Sequence, residues 1–375
     1  MNREIRDLIP ATANYAYLNS AAVGPLPTTA IAAVNDQLND VSAHGSINFP
    51  HWIEIKENCR TLMSSMLGVE REHLAFDQNT SVGIASIAAG IDWRSGDNIV
   101  SFANEFPANF YGWRSVRNEY DVELRMCEER NGRLDTDEII SLMDSRTRVV
   151  AVSAIQFASG FAADLERIGK AVRAVDALFV IDTIQALGAR SYDLPALYVD
   201  AACGASHKWL CGPEGVGYIY LSDRARERIT PKAIGWISVP EPWDFDDREQ
   251  PLRPNALAWE AGTGPSALFY GLEASLKLLT NIGLDKIGSH IRDLSNELCE
   301  RLRPLNYEMI SSRVPDEATG IVCIKHLGGL TSNDVAKTLY NAGVIVSPRG
   351  DRLRIATHFF NTSDDLDRLF DALPS

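Results

Sequence analysis

From about residue 95 to residue 222 the sequence alternates short apolar runs with amphipathic stretches, and this alternation limits the folds open to the chain more than any other feature. The strand candidates are Asn98–Phe102, Val122–Met126, Arg148–Ala154, Leu178–Asp182, Asp200–Gly204 and Val216–Leu221. Between several of them lie helical patterns, Asp135–Met143 and Asp164–Val175. Mostly continuous apolar strands alternating with amphipathic helices predict a largely parallel sheet covered on both faces. Residues 230–265 break the pattern. They are rich in Pro, Trp and charge and too long for an idle loop, so a functional or interfacial role is expected. Helix candidates Ser266–Thr280 and Leu284–Leu302 follow, then short strands Ile321–Lys325 and Leu353–Ala356 with helices Ser332–Ala342 and Ser363–Leu373. The expected architecture is a large α/β domain and a smaller C-terminal α+β domain. Their crevice should lie near the carboxyl ends of the parallel strands, where open α/β sheets place ligands.

The 375 residues suffice for two or three domains with a large core and no need of disulfides or a structural metal. The net charge of −14 repels phosphates and anionic lipid, so neither nucleic acid nor a membrane is an expected partner. No apolar run approaches the roughly 20 residues of a membrane helix. The first twenty residues carry no apolar core after their charges, unlike a secretory signal, so a cytoplasmic location is expected. Cys59, Cys127, Cys203, Cys211, Cys299 and Cys323 are scattered without a CxxC pair, and reduced thiols are the expected state. The seven histidines are dispersed, which gives no support for a metal site.

Common phosphate-loop, nucleophile-elbow and zinc motifs are absent. One arrangement carries chemistry. The apolar strand that ends on Asp182 is followed, one strand later, by Ser206-His207-Lys208-Trp209 and a glycine-rich turn. A lysine just past a buried strand suits an amine held in a crevice, with an acid at the end of the neighbouring strand. Lysine joins carbonyl cofactors as a Schiff base, and a carboxylate on a pyridinium nitrogen keeps that ring an electron sink. Read alone, Asp182 could only cap a helix and Lys208 could lie on the surface; their order along the chain weakens both readings.

These residues resemble the class V aminotransferase group of pyridoxal 5′-phosphate (PLP) enzymes, which includes cysteine desulfurases, selenocysteine lyases and isopenicillin-epimerase-like proteins. The matching segments are YLNSAAVGPLP (17–27), QNTSVGI (78–84), EFPANFYGW (105–113), QFASGFAADL (156–165), VIDTIQALGA (180–189), SHKWLCGPEGVGYIYL (206–221), WEAGTGP (259–265) and LRIATHFFNTSDDLDRLF (353–370). The resemblance implies PLP fold type I: a large domain at 16–263 with a mostly parallel seven-stranded sheet, and a small α+β domain at 264–375 together with 1–15. It implies PLP as cofactor, a small amino acid as substrate and a homodimer. Lys208 matches the Schiff-base lysine that also moves the substrate α-proton, and Asp182 the pyridinium partner. Gln185 matches the donor to the ring's phenolic oxygen. Thr80, Ser81 and His207 match the phosphate cradle, and Thr263 lies in the segment that reaches the partner subunit's phosphate. Arg354 matches the arginine that takes the substrate carboxylate. Each of Thr80, His207, Thr263 and Arg354 also has a plain structural reading, as helix cap, core histidine, helix start or ion-pair partner.

The departures bear on the reaction. Phe106 stands where many members stack a histidine on the ring; it can stack but moves no proton, which leaves acid–base work to Lys208. Phe157, with Gln156 beside it, stands where many carry an asparagine, and Gln156 is taken as a cofactor contact. Ala205 replaces a common serine. The stretch 346–353, where desulfurases present their cysteine, has none. The expected function is a transaminase or a cysteine-free C–S lyase. The alternatives are an amino-acid epimerase and a non-catalytic binding protein on the same scaffold.

Overall fold

A computed structural model describes residues 3–375. Its main sheet has seven strands in the spatial order Leu74–Asp77, Gly217–Leu221, Ala201–Ala205, Leu178–Asp182, Thr147–Ser153, Asn98–Phe102 and Glu123–Cys127. Six run the same way; Gly217–Leu221 alone is antiparallel to both neighbours. This is the mostly parallel α/β sheet that the alternation predicts, with the seven strands that the family resemblance implies. Successive side chains of a strand point to opposite faces, and the core divides accordingly. Val150, Val152, Phe179 and Ile181 pack on one face, and Val149, Ala151, Leu178 and Val180 on the other.

The helices follow local signals. Leu165–Ala174 starts on Asp164, whose side chain accepts the Arg167 N–H, and it buries Leu165, Ile168 and Val172 at helical spacing. Thr136–Ser141 is capped in the same way by Asp135. Ser266–Ile282 buries Leu272, Leu276 and Leu279 in the core of the main sheet. Two N-terminal helices, Thr28–His44 and Phe49–Leu67, pack on it.

A second sheet lies toward the C-terminus, with strands in the order Ser347–Arg349, Arg352–Ala356, Ile321–His326 and Tyr307–Met309, all antiparallel. Its own core includes Leu298, Val322, Ile324, Val335, Leu353, Ile355 and Leu366. Gly350 and Asp351 close the hairpin between its first two strands, and Gly350 has φ of 59°, which suits a glycine in the first position of a two-residue turn. The N-terminal segment crosses from one sheet to the other. The Gly24 N–H donates to the His207 carbonyl at 2.8 Å, and a Cβ there would lie 2.0 Å from the Lys208 carbonyl oxygen. Only glycine lets the backbone pass so close to the lysine loop. No helix among the described residues is long and apolar enough to cross a membrane.

Candidate active site

The Leu178–Asp182 and Ala201–Ala205 strands are parallel neighbours, so Asp182 and the loop that begins at Ser206 emerge at the same edge. That edge opens on a cavity of about 250 Å³ lined by Thr80, Ser81, Phe106, Asp182, Gln185, His207, Lys208 and Arg354. Eight of the nine residues expected from the sequence to meet the cofactor or substrate on this chain therefore converge; Gln156 is the one that does not.

Lys208 is buried, and its ammonium lies 5.3 Å from the Phe106 ring centroid. Burial pulls its pKa down to about 8; Asp182 opposes this, while Arg354 and Arg349 add to it. Asp182 is also buried. Loss of solvent raises its pKa to about 6 against the Ile184 N–H, which Oδ1 accepts at 2.8 Å, and the Lys208 charge. The carboxylate has further capacity to accept a hydrogen bond, and a ring N–H⁺ beside it would favour its ionised form.

The anion end is built on a helix start. Asn79 caps Thr80–Gly90 by accepting the Val82 N–H at 3.0 Å. The amides of Thr80 and Ser81 lie in the first turn, where no intrahelical acceptor exists. The Thr80 hydroxyl is buried without a partner. Free amides, a free hydroxyl and the helix dipole are the donor set that suits a phosphate. His207 borders it, and burial lowers its pKa. At the other end, Arg354 is 1% exposed. Its Nη1 donates to the Phe157 carbonyl at 3.0 Å, while Nε and Nη2 have no partner. A buried guanidinium with idle donors is a ready carboxylate site.

Gln185 reaches the cavity but is fixed at both ends: Nε2 donates to the Ala21 carbonyl at 3.0 Å and Oε1 accepts the Trp209 indole N–H at 2.8 Å. One N–H of its amide remains for a ligand. Gln156 is turned away because its Nε2 donates to Glu105 at 2.9 Å, and Phe157 forms the cavity wall in its place, edge-on to Phe106 at 5.2 Å. Thr263 lines a neighbouring groove with Lys56 and Gln78, which shares Asn79 and His207 with the lysine cavity.

Two residues were not singled out from the sequence. Glu105, next to Phe106, is buried and accepts the Ser153 N–H at 2.6 Å, the Ser153 hydroxyl and the Gln156 amide; burial raises its pKa to about 7. It braces the Phe106 turn from below. Arg349 lines the cavity beside Arg354, and its only signal was its place in the stretch that lacks a cysteine. A larger concavity elsewhere, about 1030 Å³, also carries arginines, but Arg130, Arg133 and Arg167 there pair with Glu138, Glu317 and Asp137.

A strand-end lysine and acid, a helix start with free amides and a buried arginine with idle donors therefore share one cavity. The chain belongs to the class V aminotransferase family, whose model matches residues 16–369. It is a PLP-dependent enzyme of the transferase and lyase kind found there. Among its relatives is a probable cysteine desulfurase of Methanothermobacter thermautotrophicus, 27% identical with 99% of this chain and 96% of that protein covered. Another is an uncharacterized aminotransferase, YcbU, of Bacillus subtilis, 22% identical over 99% of this chain and 96% of that one. A cysteine desulfurase structure from Thermococcus onnurineus has a TM-score of 0.89 at 23% identity, covering 99% and 97% of the two chains. The structure of the cystine C–S lyase C-DES with cysteine persulfide matches at 0.89 and 21%, covering 98% and 100%.

Proposed function

We propose that the protein acts at the α-carbon of an amino acid and expels a sulfur substituent from the β-carbon, as a C–S lyase that works without a cysteine nucleophile. One observation carries this reading. The stretch 346–353, where a desulfurase would offer its thiol, lies in the tight hairpin 347–356, whose Arg349 and Arg354 line the cavity, and all six cysteines are buried. Burial lifts the Cys211 thiol to about 12 and the Cys323 thiol to about 11, so neither is a thiolate near neutral pH. The cystine C–S lyase named above shares the fold.

Bound PLP supplies a carbonyl carbon that joins amines and a ring that takes up the electron pair of a bond broken at the α-carbon. The chain's residues do the rest. Thr80, Ser81 and His207 hold the phosphate. Asp182 keeps the ring nitrogen protonated. Arg354 turns the substrate by its carboxylate, and Phe106 and Phe157 wall the cavity edge to edge. The Lys208 amine, neutral in a substantial fraction near its pKa of about 8, removes the α-proton.

The working form we propose is a homodimer in the cytoplasm, where six unpaired cysteines stay reduced. Ile31, Leu38 and Val41 form an exposed apolar stripe on Thr28–His44, and Trp243 and Phe245 are 59% and 66% exposed. Apolar surface of that kind suits a second copy. It would bring Thr263 to the partner's phosphate. Sedimentation should give a dimer; a stable monomer with full PLP occupancy contradicts it.

The reaction is tested by mixing PLP-loaded protein with a panel of amino acids. Sulfur-bearing substrates should yield pyruvate, ammonia and a thiol or persulfide. Alanine from cysteine would show a desulfurase, a keto acid that keeps its side chain a transaminase, and loss of α-configuration an epimerase; each overturns the reading.

A further inference from the structure

Behind the lysine cavity lies a second one, of about 170 Å³, between the loop that follows the Leu178–Asp182 strand and the helix Leu284–Leu302. Gln185 lines both cavities. Trp209, next to Lys208 in the chain, lines the rear one and donates its indole N–H to Gln185 at 2.8 Å. The charged lining of the rear cavity is Arg190, Arg292 and Arg313, with no acid. In a chain of net charge −14 this gathering of one sign is a local reversal. Each arginine comes from a different part of the fold: the loop after the strand, the helix, and the segment before the strand Ile321–His326.

None of the three has an ion pair among the described residues. Arg190 is half-buried and makes no side-chain hydrogen bond; its guanidinium carbon stands 6.0 Å from the Tyr192 ring centroid. Arg292 donates to the Ser289 hydroxyl at 3.1 Å. Arg313 donates to the Asn296 amide oxygen at 2.8 Å and the Thr319 carbonyl at 3.3 Å. All these acceptors are neutral, and most of the guanidinium N–H groups are left over. The arrangement is not the habit of this molecule. At the 1030 Å³ concavity Arg130, Arg133 and Arg167 each face an acid, yet Arg190, which borders that concavity too, takes none. A cleft lined by one sign of charge concentrates the counter-ion.

We propose that the rear cavity is a second ligand site, for a small tetrahedral oxyanion such as phosphate, free or on a small monoester, and that its occupancy is felt at the lysine cavity through Gln185 and Trp209. Guanidinium forks match phosphate oxygens in pairs. The volume sets the size of the ligand, since about 170 Å³ falls below the roughly 300–1,000 Å³ of sites for drug-sized molecules. The floor is closely packed. A Cβ at Gly320 would lie 2.4 Å from Ile291 Cγ2 and 3.2 Å from Trp209 Cη2. A shift of the segments that carry Arg292 and Arg313 is therefore passed to the indole, because a dense interior transmits displacement.

The test uses PLP-loaded protein at constant ionic strength, set with sodium chloride so that screening stays fixed. Calorimetric titration with inorganic phosphate should show one saturable site per chain, half-filled at or below about 1 mM. Arg190→Gln breaks no hydrogen bond of the protein and should weaken binding roughly 10-fold, the loss of one charge-assisted contact. Arg292→Gln, at an exposed position, should do the same and serves if the first variant does not fold. Both should keep the absorbance of lysine-bound PLP. Arg354→Gln should leave the phosphate affinity where it was, because the lysine cavity is not the site. In the wild type, saturating phosphate should change the visible circular dichroism of the bound cofactor, and Arg190→Gln should need roughly 10-fold more phosphate for the same change. Methyl phosphate binding tighter than phosphate assigns the site to an ester, and the reverse assigns it to the free ion; either supports the proposal. Phosphate that binds no better than chloride overturns it. So does equal binding by the wild type and both variants, or loss of the site in Arg354→Gln. Saturable binding with an unchanged cofactor signal overturns the link to the lysine cavity.

Discussion

Two clusters of buried charge sit in the same large core and are built on opposite plans. Around Arg60, which is 1% exposed, everything is answered: its guanidinium meets Glu57 at 3.0 Å, Glu260 at 2.8 Å and the Leu74 carbonyl. Glu260 in turn accepts the Phe76 N–H at 2.8 Å and pairs with Lys56. Burial alone would raise the Glu260 pKa, yet Arg60 and Lys56 hold it below the usual carboxylate range. Around Lys208 the accounts stay open, with idle donors on Arg354, an idle hydroxyl on Thr80 and an unpaired Arg349. Burial of charge therefore does not mark a site in this molecule. Unsatisfied hydrogen-bonding capacity at a cavity does.

The contrast can be broken most forcefully at Lys208. Lys208→Ala should lower turnover by on the order of 10⁴-fold, since both covalent attachment and the base are removed, with the fold intact by circular dichroism. Borohydride labelling of another lysine in the wild type would show the cluster misread. Asp182→Asn should cost on the order of 10²–10³-fold in kcat, with a smaller change in KM, because a fixed charge opposite the ring nitrogen is lost. Wild-type turnover in that variant contradicts the role.

At the closed cluster the same kind of change should act on stability. Glu260→Ala leaves Lys56 and one side of Arg60 without an anion and should cost about 3–5 kcal/mol, read as a fall in Tm. The folded variant should keep its cofactor absorbance. Loss of the cofactor with an unchanged Tm would reverse the assignment of the two clusters. The smallest effect concerns pH. Capture of PLP by the apoprotein should rise up to about pH 8 and then level, instead of climbing toward the ordinary lysine value of 10.5. Between those values the unfolded chain holds a proton that the folded chain has released, so this group makes the apoprotein more stable as pH rises through that window. A capture rate still climbing at pH 10 would mean that Lys208 is not desolvated.

The sequence made the open cluster more legible than much of the fold around it. Asp182 and Lys208 could be placed because the first ends one fully buried strand and the second closely follows another, and apolar runs of five residues are conspicuous. The helical patterns Asp135–Met143 and Asp164–Val175 were also read, and each begins on the aspartate that caps the helix in the structure. The helix Thr28–His44 was not read: it buries only Ala30 and Gln37, and its apolar stripe faces outward, so no inward periodicity marks it. The strand Leu74–Asp77 is four residues long and pairs with a partner more than 140 positions later. Gln156 was placed at the ring from its position in a segment, but Glu105, fifty-one residues away in the chain, turns it aside. Arg349 was hidden because its importance depends on which side of a hairpin it shares with Arg354, a fact of register and not of composition.

The reversed strand Gly217–Leu221 has a thermal consequence. Because it returns antiparallel beside Ala201–Ala205, the loop that carries Lys208 begins and ends in the same ladder, closed by Ser206 N–H to Val216 O at 2.9 Å and Gly212 N–H to Ser206 O at 2.9 Å. The configurational freedom of that loop is surrendered once, when the sheet forms. Warming cannot loosen the amine from its acid by local fraying, since both are anchored on adjacent strands of a fully buried ladder. The Lys208–Asp182 pairing and the central sheet should then disappear in one cooperative transition, so an absorbance band from lysine-bound PLP should persist until the sheet melts.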